Sequence, residues 1–233
     1  MLRRVGGFAV LAAFLLAWGA ADAATPKRAA FRVTLTGTLT KDWTVRRTVS
    51  AECDEVTTTT GRWKLTVATR RPTAIVIVRP APGRPLRFSP GLVRSIAGSA
   101  SQTGSVRKVT QGPRCERVVR SSNCATQRAS FRGATTRLTS PVRGKVRLTR
   151  LQGASTVRSF SGNCPEEPAD IRSLKTDLDL ADAPLSVADV FDRSVPRFFI
   201  AGDSVLETTI EEEYDGKAVE RVRWRLTFTR LAV

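Results

Sequence analysis

Val222-Arg223-Trp224-Arg225-Leu226-Thr227-Phe228-Thr229 alternates apolar and polar side chains without a break. Period two of this kind is the mark of a half-buried strand, with even numbers on one face and odd numbers on the other. Upstream, Leu206 and Ile210 supply a matching apolar parity, and Asp215-Gly216 marks a turn between the two segments. A two-residue loop there would set apolar residues opposite charged ones. A three-residue loop with Gly216 in a left-handed conformation pairs even numbers with even. That register is the expectation, and it puts Glu207, Glu211 and Glu213 on the face of Arg221, Arg223 and Arg225, as cross-strand partners of an arginine ladder.

The same texture recurs along the chain. Phe31, Val33, Leu35 and Leu39 alternate with Arg32, Thr34, Thr36, Thr38 and Thr40, and Trp43, Val45 and Val49 keep the odd parity beyond Lys41-Asp42, which reads as a turn. Trp63, Leu65 and Val67 form the next strand. The run Ala74-Ile75-Val76-Ile77-Val78 is apolar at both parities, as in a central strand covered on both faces. Pro80, Pro82, Gly83, Pro85, Pro90 and Gly91 then break the pattern, and residues 80–104 read as a long loop or insertion. Shorter strands follow around residues 105–110, 132–139 and 145–151. Leu185 to Asp192 is the one helical pattern, with Ser186 as its cap. About nine strands and one short helix predict an all-β fold, an antiparallel sandwich or barrel. Trp43, Trp63 and Trp224 sit on apolar parities and are expected in its core.

Arg3 and Arg4, the apolar run from Phe8 to Trp18 and the small residues Gly19 to Ala24 predict a signal peptide over residues 1–23. Residues 24–233 then form one β-rich domain, with a sub-boundary near residue 165 as the alternative. The apolar run is shorter than the roughly 20 residues that span a bilayer, and no later stretch is long or apolar enough. An exported chain with four cysteines, Cys53, Cys115, Cys124 and Cys164, is expected to be disulfide-stabilised. Three pairings are open, and Cys115 with Cys124 is preferred for its short loop, leaving Cys53 with Cys164. Zinc is disfavoured, since the chain has neither a C-x-x-C nor a histidine.

The 233 residues include 38 Lys and Arg, 21 Asp and Glu and no histidine, for a formal charge of +17. Without histidine, imidazole acid–base catalysis and His-containing triads are impossible. Ser105-Val106-Arg107-Lys108 fits S-x-x-K and Ser121-Ser122-Asn123 resembles S-x-N, yet Ser105 opens a strand pattern rather than a helix and no K-T-G follows. G-x-S-x-G and glycine-rich phosphate loops are absent from the sequence. Asp177, Asp179 and Asp182 lack the spacing of a calcium loop and read as a solvated linker. Glu166 with Glu167, or Asp203 with Glu207, would have to face each other across a cleft to hydrolyse a glycoside. No catalytic residue, cofactor or metal is predicted.

The basic residues are the remaining lead. Residues 24–165 hold 27 Lys and Arg against 5 Asp and Glu, whereas residues 166–233 hold 9 against 15. Arg107, Lys108, Arg114, Arg117, Arg120, Arg128 and Arg132 crowd the polar stretch around Cys115 and Cys124 and form the candidate site for an anionic ligand. The opposing explanation is a solvated surface enriched in arginine by coding bias, since Arg outnumbers Lys by 31 to 7.

Phe31-Arg32-Val33-Thr34-Leu35-Thr36-Gly37-Thr38-Leu39-Thr40, Trp43, Cys53, Gly61-Arg62-Trp63, Leu185-Ser186-Val187-Ala188 and Val222 to Leu231 together resemble uncharacterised secreted bacterial β-rich proteins. The resemblance implies export and an all-β fold, and it carries over no activity and no functional residue. The expected function is that of an exported, non-enzymatic binding or structural protein of the cell envelope or extracellular space, in contact with anionic polymers or lipid headgroups. A carrier of a small apolar ligand inside a barrel and a hydrolase without histidine are the alternatives.

Overall fold

The computed structural model describes residues 27–149, 151–153, 183–210 and 215–232. The expected signal peptide, the boundary near residue 165, Cys164, Glu166, Glu167, Asp177, Asp179, Asp182 and Glu211 to Glu213 lie outside them. The elements are β1 (Lys27–Val49), β2 (Asp54–Thr69), β3 (Thr73–Arg79), β4 (Arg87–Ser89), β5 (Leu92–Gly112), β6 (Cys115–Thr139), β7 (Lys145–Leu148), β8 (Ala183–Pro184), α1 (Val187–Phe191), β9 (Arg197–Ile210) and β10 (Asp215–Arg230). The protein is all-β, as its periodicity predicts, and its one described helix is capped by Ser186, whose Oγ accepts from the Asp189 N–H at 3.2 Å. No described helix is long and apolar enough to cross a membrane.

Every ladder is antiparallel, and all ten strands belong to one sheet. β1 is its spine. One edge of β1 pairs with β10, which pairs with β9; the other edge is shared by β3, near the start of β1, and β2 further along. From β2 the sheet continues through β5, β6, β7 and β8, and β4 extends β3. The sheet curls until β8 lies against β9. No ladder joins those two strands, so the sheet is open.

The register follows the apolar parity. Val222 pairs with Ser204 and Trp224 with Gly202, even with even as expected, but Asp215-Gly216 is not the turn: both residues belong to β10, opposite Arg46 and Val45 of β1, Gly216 is not left-handed, and the connection is longer than three residues because Ile210 pairs with Gly216. Lys41-Asp42 is not a turn: β1 runs through it, and the odd apolar residues Phe31, Val33, Leu35 and Leu39 before it and Trp43 and Val45 after it are all buried. Unbroken parity on both sides of a charged pair is what a single strand gives, and Asp42 is tolerated because it faces outward. Residues 80–104 are not one loop. They contain β4 and the first part of β5, whose Leu92, Val93 and Ile96 already pair with β6. Nor is β3 covered on both faces, for Ile75 and Ile77 are buried while Val76 is 36% exposed.

The inner face holds one core. Three of its aromatics are seated on glycines directly opposite in the neighbouring strand: Trp43 opposite Gly61, Trp224 opposite Gly202 and Phe131 opposite Gly98. A Cβ on any of these glycines would run into the facing ring. The ring supplies the packing that the glycine lacks, and the glycine supplies room for the ring. All three tryptophans are buried as expected, and their indole N–H groups have no hydrogen-bond partner among the described residues, which makes the indoles packing elements. At the other end Phe31, Phe198 and Phe228 form a triad, the last two stacked at 4.8 Å and Phe31 edge-on to both. Arg230 closes that end. Its guanidinium lies 4.8 Å from the Phe31 ring centroid and donates to the carbonyls of Val190, Asp192 and Val195 at the C-terminal end of α1.

Cys53 is bonded to Cys115, with their Cα atoms 5.8 Å apart. The bridge ties the β1–β2 connection to the β5–β6 turn. This overturns the preferred Cys115–Cys124 pairing. Both residues lie on β6, and nine residues of extended strand place them about 30 Å apart, far beyond the reach of one disulfide. Cys124 is also disulfide-bonded.

Two outcomes test this packing. Gly61→Ala is expected to cost about 1–3 kcal/mol in a denaturant titration, because the new methyl displaces the Trp43 indole; an unchanged midpoint would contradict the packing. Replacing Cys53 and Cys115 by serine is expected to cost about 4 kcal/mol from chain entropy, since the bridge spans a sequence separation of 62; the urea midpoint of the variant against that of the oxidised protein measures it.

Candidate functional site

Alternation along the ladders sorts the predicted basic residues by face, and they do not form one patch. Arg107, opposite Ser121 in β6 and Thr58 in β2, lies on the outer face. Arg117 and Arg128 share that face by register, Arg128 being opposite Ser101, and Arg132 reaches it beyond the next bulge. Lys108 and Arg120 are opposite each other on the inner parity. There Lys108 Nζ is 3.0 Å from Glu55 Oε1. The hydrogen bond and charge of Lys108 hold the Glu55 carboxyl below the usual glutamate range against the opposing effect of burial, with lesser help from the Thr57 hydroxyl and the charge of Arg120. Arg114 sits in the β5–β6 turn beside the Cys53–Cys115 bridge.

The outer face also carries basic residues that sequence reasoning had treated as part of the general surface or matched with other partners. Asp42 holds two of them, Arg62 at 2.5 Å and Arg221 at 3.2 Å. The hydrogen bond and charge of Asp42 raise the Arg62 pKa. Arg221 thus pairs with Asp42 of the first strand, while the expected partners Glu211 to Glu213 lie outside the described residues. Arg225 lies 3.9 Å above the Phe199 ring centroid, and Arg223 is opposite Asp203.

Between these cations runs a trench. Ala97-Gly98-Ser99-Ala100-Ser101 and Thr103-Gly104-Ser105 give the middle of β5 only small side chains on its outer face, while Arg62 and Lys64 of β2 and Arg128 and Arg132 of β6 rise on either side. Three adjoining depressions follow this line. One of about 510 Å³ is lined by Lys64, Thr66, Ser99, Ser101, Arg128 and Ser130. One of about 360 Å³ continues it toward Arg70 and Arg132, and one of about 570 Å³ continues it the other way past Arg62, Ser105 and Asn123. From Ala68 to Thr60 the trench is about 26 Å long at the rise of an extended strand. Its floor hydroxyls are held in place, Thr66 Oγ1 at 3.0 Å from Ser99 Oγ and Thr60 Oγ1 at 2.8 Å from Ser105 Oγ.

This arrangement offers fixed hydroxyls between rows of cations, a surface for binding and orienting. The S-x-x-K residues are on opposite faces, Ser105 bonded to Thr60 and Lys108 paired with Glu55, so the lysine does not reach the serine. Asp203 and Glu207 lie on one strand four residues apart, about 13 Å along it, and do not face each other across a cleft.

The depressed Glu55 pKa has a defined consequence for stability. The contribution of the Lys108–Glu55 pair is present above the ordinary glutamate range and is lost as the pH falls through the folded-state value. Glu55→Gln is expected to unfold at slightly lower urea than the parent at pH 7, with the two midpoints converging on acidification toward pH 3; a difference independent of pH would contradict the pairing.

Comparison with protein-family models, with curated proteins and with solved structures finds no match to this chain.

Proposed function

We propose that the protein is an exported, non-enzymatic binding or structural module of the cell envelope or extracellular space, and that its outer sheet face engages anionic polymers. The observation that carries this reading is the charge of that face. Arg32, Arg46, Arg62, Lys64, Arg107, Arg117, Arg128, Arg221, Arg223 and Arg225 all project from it by register, against Asp42, Asp54, Asp203, Glu207 and Asp215 on the same parity. A one-sided excess of cations on a broad sheet concentrates polyanions at the surface and releases their counterions on contact. Export is supported by the charged, apolar and small-residue order of residues 1–23, and the Cys53–Cys115 bridge suits an oxidising compartment.

The depressions described above open on the outer face, whereas the inner face is occupied by Phe31, Leu35, Trp63 and their neighbours. That favours a ligand lying on the sheet over a small apolar ligand within it. The test is binding to dextran sulfate across a salt series. Retention close to physiological salt is expected, and the Lys64→Ala/Arg128→Ala double variant should reduce the slope of log K against log salt by about 1 per lost contact. Release of the parent at low salt would overturn the proposal.

A further inference from the structure

We infer that the trench over β5 is a site for one extended chain of an acidic polysaccharide, lying parallel to the strand, with its carboxylate or sulfate groups on Lys64 and Arg128 and its hydroxyls on the serine and threonine floor. This rests on the anionic-polymer reading above and narrows it to a place and a ligand class.

Three features select the ligand. The trench is long and narrow, one strand wide, so it fits a single extended chain. Its floor carries two cross-strand hydroxyl pairs, Thr66 with Ser99 and Thr60 with Ser105; in each pair one O–H is spent on the other oxygen, which leaves one O–H per pair and acceptor lone pairs on both oxygens for a hydroxyl-rich partner. Ser101 lies directly opposite Lys64 on one side and Arg128 on the other, so a charged group on the chain meets cations from both walls at the same level. Single-stranded nucleic acid is disfavoured, because its bases are held by stacking on exposed aromatic faces; the aromatic side chain at the trench, Phe131, is 6% exposed and packs over Gly98. A planar lipid surface is disfavoured because the floor is recessed between its walls.

The experiment is titration calorimetry of the full protein with polygalacturonate fragments, with dextran sulfate and with a single-stranded DNA oligomer as competitors. Ser101→Tyr fills the floor without changing charge. It is expected to weaken polygalacturonate binding at least tenfold while retention on a sulfonate resin is unchanged, and near-ultraviolet circular dichroism of the buried tryptophans checks that the fold persists. Should that variant fail to fold, Lys64→Ala/Arg128→Ala is expected to show the same loss, and Arg143→Ala/Arg193→Ala, which removes the same charge from the β6–β7 connection and from the turn after α1, is expected to bind as the parent does. Parent-like binding by the trench variants, or displacement by DNA at equal charge, would overturn the site while leaving the anionic-polymer reading intact. A parent protein that binds none of the polyanions at physiological salt would overturn both.

Discussion

Register across β1 is the constraint on which the rest of the fold depends. Odd residues of β1 and β2 and even residues of β5, β9 and β10 all reach the same face, because each ladder pairs them so. A slip of one residue in any of these ladders would turn a row of Phe, Leu, Val and Trp to water and bring a row of Arg and Thr into the core. The cross-strand seating of Trp43 on Gly61, Trp224 on Gly202 and Phe131 on Gly98 opposes such a slip. Each aromatic has room at one level only, so these pairs act as register pins at separate points of the sheet.

Much of this is legible in the sequence because period two is a local signal. The strands containing Phe31, Trp63 and Trp224, the even-with-even pairing of β9 with β10 and the capped helix at Ser186 all follow from it. What escaped reading depended on the neighbouring strand. Lys41-Asp42 has the composition of a turn, and only the outward cations Arg62 and Arg221 make an aspartate acceptable in mid-strand. Residues 91–104 look like a loop because they are small, yet their size is what β2 and β6 require of the strand between them: Gly98 makes way for Phe131.

The binding face shows the same division. Density of Arg and Lys along the chain pointed to residues 107–132, but density along a strand alternates between two faces. Lys108 and Arg120 therefore leave the outer surface for the side of Glu55, while Arg62 and Lys64, forty residues or so upstream, join Arg128 and Arg132 around β5. Parity would have found the first half of this, since Arg107 and Lys108 cannot share a face. The second half needed the order β2, β5, β6. The disulfides were illegible for a related reason: the distance between Cys115 and Cys124 depends on whether the chain between them turns or runs straight, and it runs straight in β6.

The pairing of β1 with β10 joins the first described strand to the last. Ribosomal synthesis delivers them in that order, so β1 must wait for nearly the whole chain before its second edge is covered. In the interval, Phe31 to Val45 lie on a long strand with one open edge, the geometry most prone to pairing with a wrong chain. From Arg32 to Thr48 the even residues of β1 are Thr and charged side chains rather than apolar ones, which keeps one face of the waiting strand soluble. Pairing of the first described strand with the last is also a contact of long sequence separation, the kind that slows folding, and Phe31 gains its ring partners only when Phe198 and Phe228 arrive.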